Sequence, residues 1–252
     1  MENTKGQDAS VQLFGIQLSR RTMDETVALL MQAIQQRRTT HVITANPIML
    51  MTGFEDLSFY SMLQQADLVV PDGDGIVWAA AHLKKPVAER VAGYDLVQRL
   101  FHVGSSRAWR VYLLGSTREV IETAAERVKS KYPGLQIVGT HHGYFQSSED
   151  QRILQEIKES AADLLLVGRS TYTQDPWIAQ YKHMLNVPVM IGVGGSFDVM
   201  AGKLKRAPIW MQRYKLEWLY RLIQEPKRFR RMLVLPKFVF HVLINGENVR
   251  RH

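Results

Sequence analysis

The chain has 252 residues, is 46% hydrophobic and contains no cysteine. This length is enough to bury a full core, while the missing cysteine excludes a disulfide framework, a thiolate nucleophile and a cysteine-ligated zinc site. The net charge of +8 is uneven: residues 203–252 carry 13 Lys and Arg against 3 Asp and Glu, and the preceding 202 residues carry 19 against 21. Such a local basic field holds phosphates, nucleic acid or anionic lipid without selecting among them. Residues 1–10 are polar and no run of about 18 apolar residues occurs, so neither a signal peptide nor a spanning helix is expected.

In chain order, a β-branched run at 11–18 reads as a strand and 22–36 as a helix opened by a Thr22/Glu25 capping box. A strand at 41–44, a helix at 48–65, a strand at 68–70 and helices at 75–83 and 94–101 follow. Then come a strand at 110–114, a helix at 117–132, a strand at 136–140, a helix at 149–160, a strand at 164–167, a helix at 174–185 and a strand at 189–193. This alternation predicts an α/β fold with a mostly parallel, Rossmann-like sheet sandwiched by helices. After Gly202 the texture changes. Residues 209–224 have helical apolar spacing, Pro226 opens a further basic helix, and Trp218, Phe229, Phe238 and Phe240 are interleaved with cations. Two units are therefore expected: an α/β catalytic domain over 1–202 and a basic amphipathic helical appendage over 203–252 suited to a membrane interface. Aromatic and basic mixing also fits single-stranded nucleic acid. The apolar run 232–244 is too short to span a bilayer.

In parallel sheets ligands gather at the carboxyl ends of strands, where four loops stand out: residues 44–47, 71–75, 114–117 and 192–198. Pro71-Asp72-Gly73-Asp74-Gly75 places carboxylates after a strand, where an aspartate can take a proton from a hydroxyl, although an ordinary Asp-Gly turn has the same sequence. Asp72-Gly73-Asp74 also spells a three-residue D-x-D pattern used to hold divalent ions. Gly115, Ser116 and Thr117 lie between a strand and a helix and fit either a phosphate site or plain capping. The Gly192–Gly195 segment can cradle a diphosphate, but Phe197 occupies the last glycine position of a dinucleotide fingerprint, which weakens an oxidoreductase reading. Lys203, Lys205, Arg206, Arg221, Lys227, Arg228, Arg230 and Arg231 can neutralise a departing diphosphate and meet lipid head groups. The eight histidines are scattered and read as structural or surface residues.

These loops resemble the WecG/TagA/CpsF family of bacterial glycosyltransferases over about residues 13–240. The matching pieces are Thr44-Ala45-Asn46-Pro47, Ala66-Asp67-Leu68 into Pro71-Asp72-Gly73, Arg90-Val91-Ala92-Gly93-Tyr94-Asp95-Leu96 and Val111-Tyr112-Leu113-Leu114-Gly115. They continue through Gly139, Gly143-Tyr144-Phe145, residues 191–198, Ala201-Gly202, Lys205-Arg206-Ala207-Pro208, Leu216-Glu217-Trp218-Leu219-Tyr220-Arg221, Glu225-Pro226 and Arg228.

The resemblance implies inverting transfer of N-acetylmannosamine, or a related sugar, from a UDP-sugar to an undecaprenyl-diphosphate-linked saccharide in teichoic-acid or surface-polysaccharide synthesis. It makes Asp72 the general base, with Thr44 and Asn46 beside it and Arg90 as a phosphate or acceptor contact. Gly73, Gly93, Asp95, Gly115, Gln174, Gly194, Gly195, Lys205, Arg206, Arg221, Arg228 and Arg231 are the expected substrate-binding set. No metal or other cofactor is expected, because the position of Asp74 is commonly not acidic in the family. The implied location is the cytoplasmic face of the bacterial membrane, reached through the C-terminal segment; nucleic acid is not an expected partner, and a homo-oligomer is left open. One stretch departs from the family pattern. A Gly-Ser-Pro-type turn followed by Gln-Glu is replaced here by Gly168-Arg169-Ser170-Thr171-Tyr172-Thr173-Gln174-Asp175, although Gln174 and Trp177 keep register. This bears on donor choice, with UDP-glucose or a UDP-uronic acid as the alternative donor and a non-catalytic binder of anionic membrane or nucleic acid as the rival reading.

Overall fold

The computed structural model describes residues 9–248, so the ends of the two expected units, 1–8 and 249–252, lie outside the described residues. The strands are β1 (Ser10–Leu13), β2 (Ile16–Ser19), β3 (Thr40–Ala45), β4 (Leu68–Pro71), β5 (Arg110–Gly115), β6 (Gln136–His141), β7 (Leu164–Gly168) and β8 (Val189–Gly192). They form one sheet in the order β1-β2-β4-β3-β8-β7-β5-β6. Among the described residues only β1 and β2 pair antiparallel.

The helices are α1 (Met23–Gln35), α2 (Pro47–Glu55), α3 (Leu57–Gln65), α4 (Asp74–His82), α5 (Gly93–Ser105), α6 (Arg118–Lys131), α7 (Asp150–Glu159) and α8 (Thr171–Leu185). After β8 come α9 (Ser196–Met200), α10 (Ile209–Arg213), α11 (Glu217–Gln224), α12 (Phe229–Met232) and α13 (Val234–Asn245). Strand alternation builds three layers. Val42, Val111, Leu113, Leu164, Leu166, Val189 and Ile191 face α1, α5, α6 and α9. Their neighbours Ile43 and Ala45 face α2, α3 and α4, while Leu114, Leu165, Val167 and Met190 face α7 and α8. Apolar side chains on both faces are what a doubly covered parallel sheet requires.

Four expected boundaries shift, each for a local reason. The single strand over 11–18 is a hairpin, because Phe14 and Gly15 both take positive φ (51° and 72°) and bring Leu13 opposite Ile16. The helix over 48–65 is two helices, broken where the Asp56 carboxylate accepts from the Ser58 and Phe59 N–H groups and caps α3. Residues 209–224 also divide, at Lys215 with φ 60°. Finally, α8 begins at Thr171, so residues 171–175 of the rewritten stretch form its start.

Residues beyond 202 pack onto those before them. Phe238 and Val242 of α13 are each 1% exposed and join the cluster that holds Phe14, Met49 and Ile76. Phe14 and Phe238 meet edge to face, with ring centroids 6.1 Å apart. On the outer surface of this segment Ile209, Trp210, Ile223, Phe229, Phe240 and Ile244 are exposed. Among the described residues no helix is long and apolar enough to cross a membrane.

Candidate active site

The central strands β3 and β8 pair directly, yet the chain leaves them toward opposite faces: α2 follows β3 on one side of the sheet, and α9 follows β8 on the other. Divergence at adjacent carboxyl ends opens a crevice. A cavity of about 290 Å³ lies there, floored by Thr44, Asn46, Asp72 and Gly73 and walled on one side by Trp218, Arg221, Arg231, Met232 and Leu235 from the C-terminal segment.

Backbone bonds fix its floor. The N–H groups of Asp72 and Gly73 both donate to the Ala45 carbonyl, and Val91 N–H donates to Pro71 O at 2.8 Å. Asn46 caps α2, its Oδ1 accepting from the Ile48 and Met49 N–H groups, so its amide nitrogen takes no part in the cap. Gly93 lets the start of α5 abut Thr44: a Cβ there would stand 3.0–3.2 Å from three Thr44 side-chain atoms.

Arg90 is the hub of the charges. Its Nε donates to the Asp72 carbonyl, its Nη1 lies 3.3 Å from Asp74 Oδ2, and its Nη2 lies 3.1 Å from Glu217 Oε2 and 3.5 Å from Asp72 Oδ1. Glu217, only 5% exposed, also has Arg206 Nε and Arg221 Nη2 at 3.6 Å from its Oε1. Arg206 in turn grips Asp95 with both Nη groups and lies over the Tyr94 ring. The Asp72 side chain keeps 27% of its surface open to the cavity, but the surrounding walls desolvate it and raise its pKa above the ordinary carboxylate value. Arg90, Arg221 and the Gly93 amide pull the other way, and Glu217 adds to the rise. The cavity thus presents a carboxylate of increased proton affinity next to fixed positive charge.

The structure brings together Asp72, Thr44, Asn46, Arg90, Gly73, Gly93, Arg206, Arg221 and Arg231 around the cavity. Gly195 and Lys205 line a narrow cleft beside it, shared with Arg206 and Arg221. Asp95 stands behind, as the partner of Arg206. Three expected residues are placed differently. Gly115 does not line the cavity; it lies against β7, where a Cβ would come within 2.3 Å of Gly168 O, and Thr117 caps α6. Gln174 is 5% exposed, with its amide bonded to Asp175 and to the Gly194 N–H. Gly194, at φ 51°, is that bond's donor. The Arg228 side chain lies outside the described residues.

Glu217, Tyr94, Thr171, Tyr172 and Ser196 line the cavity without having been expected as site residues, and Asp74 of the D-x-D pattern lines it too. For Glu217 a signal existed: it is one of three acids in a segment with 13 Lys and Arg. Thr171 and Tyr172 belong to the rewritten stretch, so the departure in sequence faces the cavity. Among the described residues no group of three or more His, Asp or Glu side chains is arranged to hold a metal ion. Arg90 lies between the carboxylates of the D-x-D pattern.

Comparison with known proteins adds a family and named relatives. The sequence model described as "Glycosyl transferase WecG/TagA/CpsF family" matches residues 11–252. A protein of Bacillus spizizenii named N-acetylglucosaminyldiphosphoundecaprenol N-acetyl-beta-D-mannosaminyltransferase is 37% identical over 83% of this chain and 81% of its own length. Proteins of the same name from Bacillus subtilis and Staphylococcus aureus are 34% and 31% identical, covering 85% and 93% of this chain and 83% and 92% of theirs.

Proposed function

This chain belongs to the WecG/TagA/CpsF family of glycosyltransferases, and from that membership we propose that it moves an N-acetylmannosaminyl group from a UDP donor onto undecaprenyl-diphosphate-linked N-acetylglucosamine. The relatives' names supply the sugar and the acceptor. The nucleotide, the polymer being built (teichoic acid or another surface polysaccharide) and a position on the inner face of the membrane are part of the proposal. The exposed apolar side chains and arginines of the C-terminal segment support peripheral attachment to an anionic surface.

The observation that carries this reading is Asp72, a desolvated carboxylate on the floor of a cavity rimmed by arginines. In the proposed reaction Asp72 accepts the proton of the acceptor hydroxyl as that oxygen bonds to the anomeric carbon. The bond from that carbon to UDP breaks in the same displacement, and the diphosphate leaves with the electron pair. One base suffices for inversion in a single displacement. Arg221 and Arg231 face the cavity and oppose the charge that develops on the leaving group. Arg90 orients Asp72 through its backbone and its carboxylate. The proposal needs no metal, since guanidinium groups supply the positive charge.

The test is UDP release from UDP-N-acetylmannosamine, UDP-N-acetylglucosamine, UDP-glucose and the corresponding uronic acids, each with and without a lipid-diphosphate N-acetylglucosamine acceptor. Acceptor-dependent release with the first donor is expected, and about 10²–10⁴-fold slower release in Asp72→Asn. No acceptor-dependent release from any donor, or near-normal turnover in that variant, defeats the proposal.

A further inference from the structure

Between β3, α8 and the end of β8 runs a line of buried polar groups that the chemistry above does not use. His41 on β3 and Asp175 on α8 are each 1% exposed, with His41 Nε2 3.3 Å from Asp175 Oδ1. The other carboxylate oxygen, Oδ2, accepts from Gln174 Nε2 at 3.0 Å. Gln174 Oε1 accepts from the Gly194 backbone N–H at 2.9 Å. The line fills space that only glycine leaves: a Cβ on Gly192 would stand 2.4 Å from Asp175 Oδ1 and 2.5 Å from Gln174 Nε2.

Polarity gives this line a direction. An ionised carboxylate only accepts, whereas an amide has one donating and one accepting end. Asp175 therefore turns the Gln174 N–H₂ toward itself and leaves the carbonyl for Gly194. Gly194 has φ 51° and open space where a side chain would stand, so no side-chain packing at that residue holds the turn. Its flanking residues form substrate-facing surface: Val193 and Ser196 line the cavity, and Gly195 lines the cleft with Lys205, Arg206 and Arg221.

We infer that Asp175 and His41 are a positioning pair: they set the orientation of the Gln174 amide, and through it the Gly194 turn, on the wall that meets a diphosphate-bearing substrate. The inference rests on the proposed transferase reading for the identity of that substrate, and both donor and acceptor carry the chemistry. Gln174→Glu places a second carboxylate against Asp175 in a buried site. Gln174→Glu with Asp175→Asn restores complementarity, since the new N–H₂ donates to the carboxylate introduced at position 174 while the new carbonyl accepts from His41.

Two readouts test this in the full-length protein: amide exchange across residues 192–197, and KM measured separately for UDP-sugar and lipid acceptor. In Gln174→Glu, exchange is expected to rise about tenfold and at least one KM about tenfold, with kcat within about twofold. The KM that moves identifies the substrate held by this wall. The double variant is expected to recover most of both effects. Unchanged exchange in Gln174→Glu, altered exchange with both KM values unchanged, or a double variant no better than the single would each overturn the inference. If the wild-type protein transfers no sugar, the function reading fails, and the exchange measurements with the double variant still decide whether the pair holds the turn.

Discussion

Removing one ring from α13 tests whether the C-terminal segment is built into the core. Phe238 is 1% exposed, meets the fully buried Phe14 edge to face, and places its Cε1 3.8 Å from where a Gly75 Cβ would stand. Truncating a phenylalanine buried in this way costs about 3–5 kcal/mol, because transfer energy and cavity energy add. For a chain of this size about 2–4 °C is lost per kcal/mol, so Phe238→Ala is expected to lower Tm by roughly 6–20 °C. Two residues along the same helix, Phe240 is 64% exposed, and Phe240→Ala is expected to stay within about 0.5 kcal/mol. Urea and thermal unfolding of the two variants give the comparison directly. The helix follows Arg231 and Met232 and carries Leu235, all of which line the cavity, so the loosened variant is also expected to bind substrate more weakly. Equal, small shifts in the two variants would refute the packing described here.

Further outcomes concern the charges and one backbone crossing. The raised pKa of Asp72 places the acid limb of kcat/KM above the ordinary carboxylate range, with activity falling as pH falls through the folded-state value. Stability runs the other way: the contribution of protonated Asp72 is complete below its unfolded pKa of about 3.9 and lost as pH rises through the folded value. Asp72→Asn is therefore expected to unfold at higher urea concentration than wild type at neutral pH, and a lower midpoint contradicts this. Glu217→Gln removes a charge that pushes Asp72 up, so the acid limb is expected to move to lower pH; a limb that stays or rises removes Glu217 from the site's electrostatics. Gly115→Ala drives a methyl group to 2.3 Å from Gly168 O and is expected to destabilise by about 1–3 kcal/mol in urea unfolding, whether or not substrate is bound.

The three-layer frame was readable because β4, β7 and β8 are continuous apolar runs that end in proline or glycine. The loops that carry Thr44, Asn46 and Asp72 were readable for a related reason, since they follow the ends of strands, while the roles of Thr44 and Asn46 came from the family resemblance. What escaped depends on partners remote in sequence or on unusual backbone. Phe14 looks like the middle of an apolar strand, and a buried aromatic residue at positive φ carries none of the Asn-Gly signature of a hairpin turn. Glu217 gains its meaning from Arg90, Arg206 and Arg221, brought together only by the fold. Gln174 falls at the start of a helix beside a glycine-rich loop, as a ligand-binding residue would, yet its amide turns into the protein because Asp175 draws the N–H₂ inward.

The direct pairing of β3 with β8 also bears on how the molecule is made. Thr40, His41 and Val42 emerge early from the ribosome and wait for Val189, Met190 and Ile191 before the middle of the sheet closes. The last helix must then seat Phe238 against the first hairpin, the earliest described structure in the chain. The hairpin and α13 thus share a contact between segments far apart in sequence, of a kind that forms slowly. A nascent or prematurely terminated product has half a crevice and no arginine wall. The cavity gains that wall only once residues 218–235 have been made.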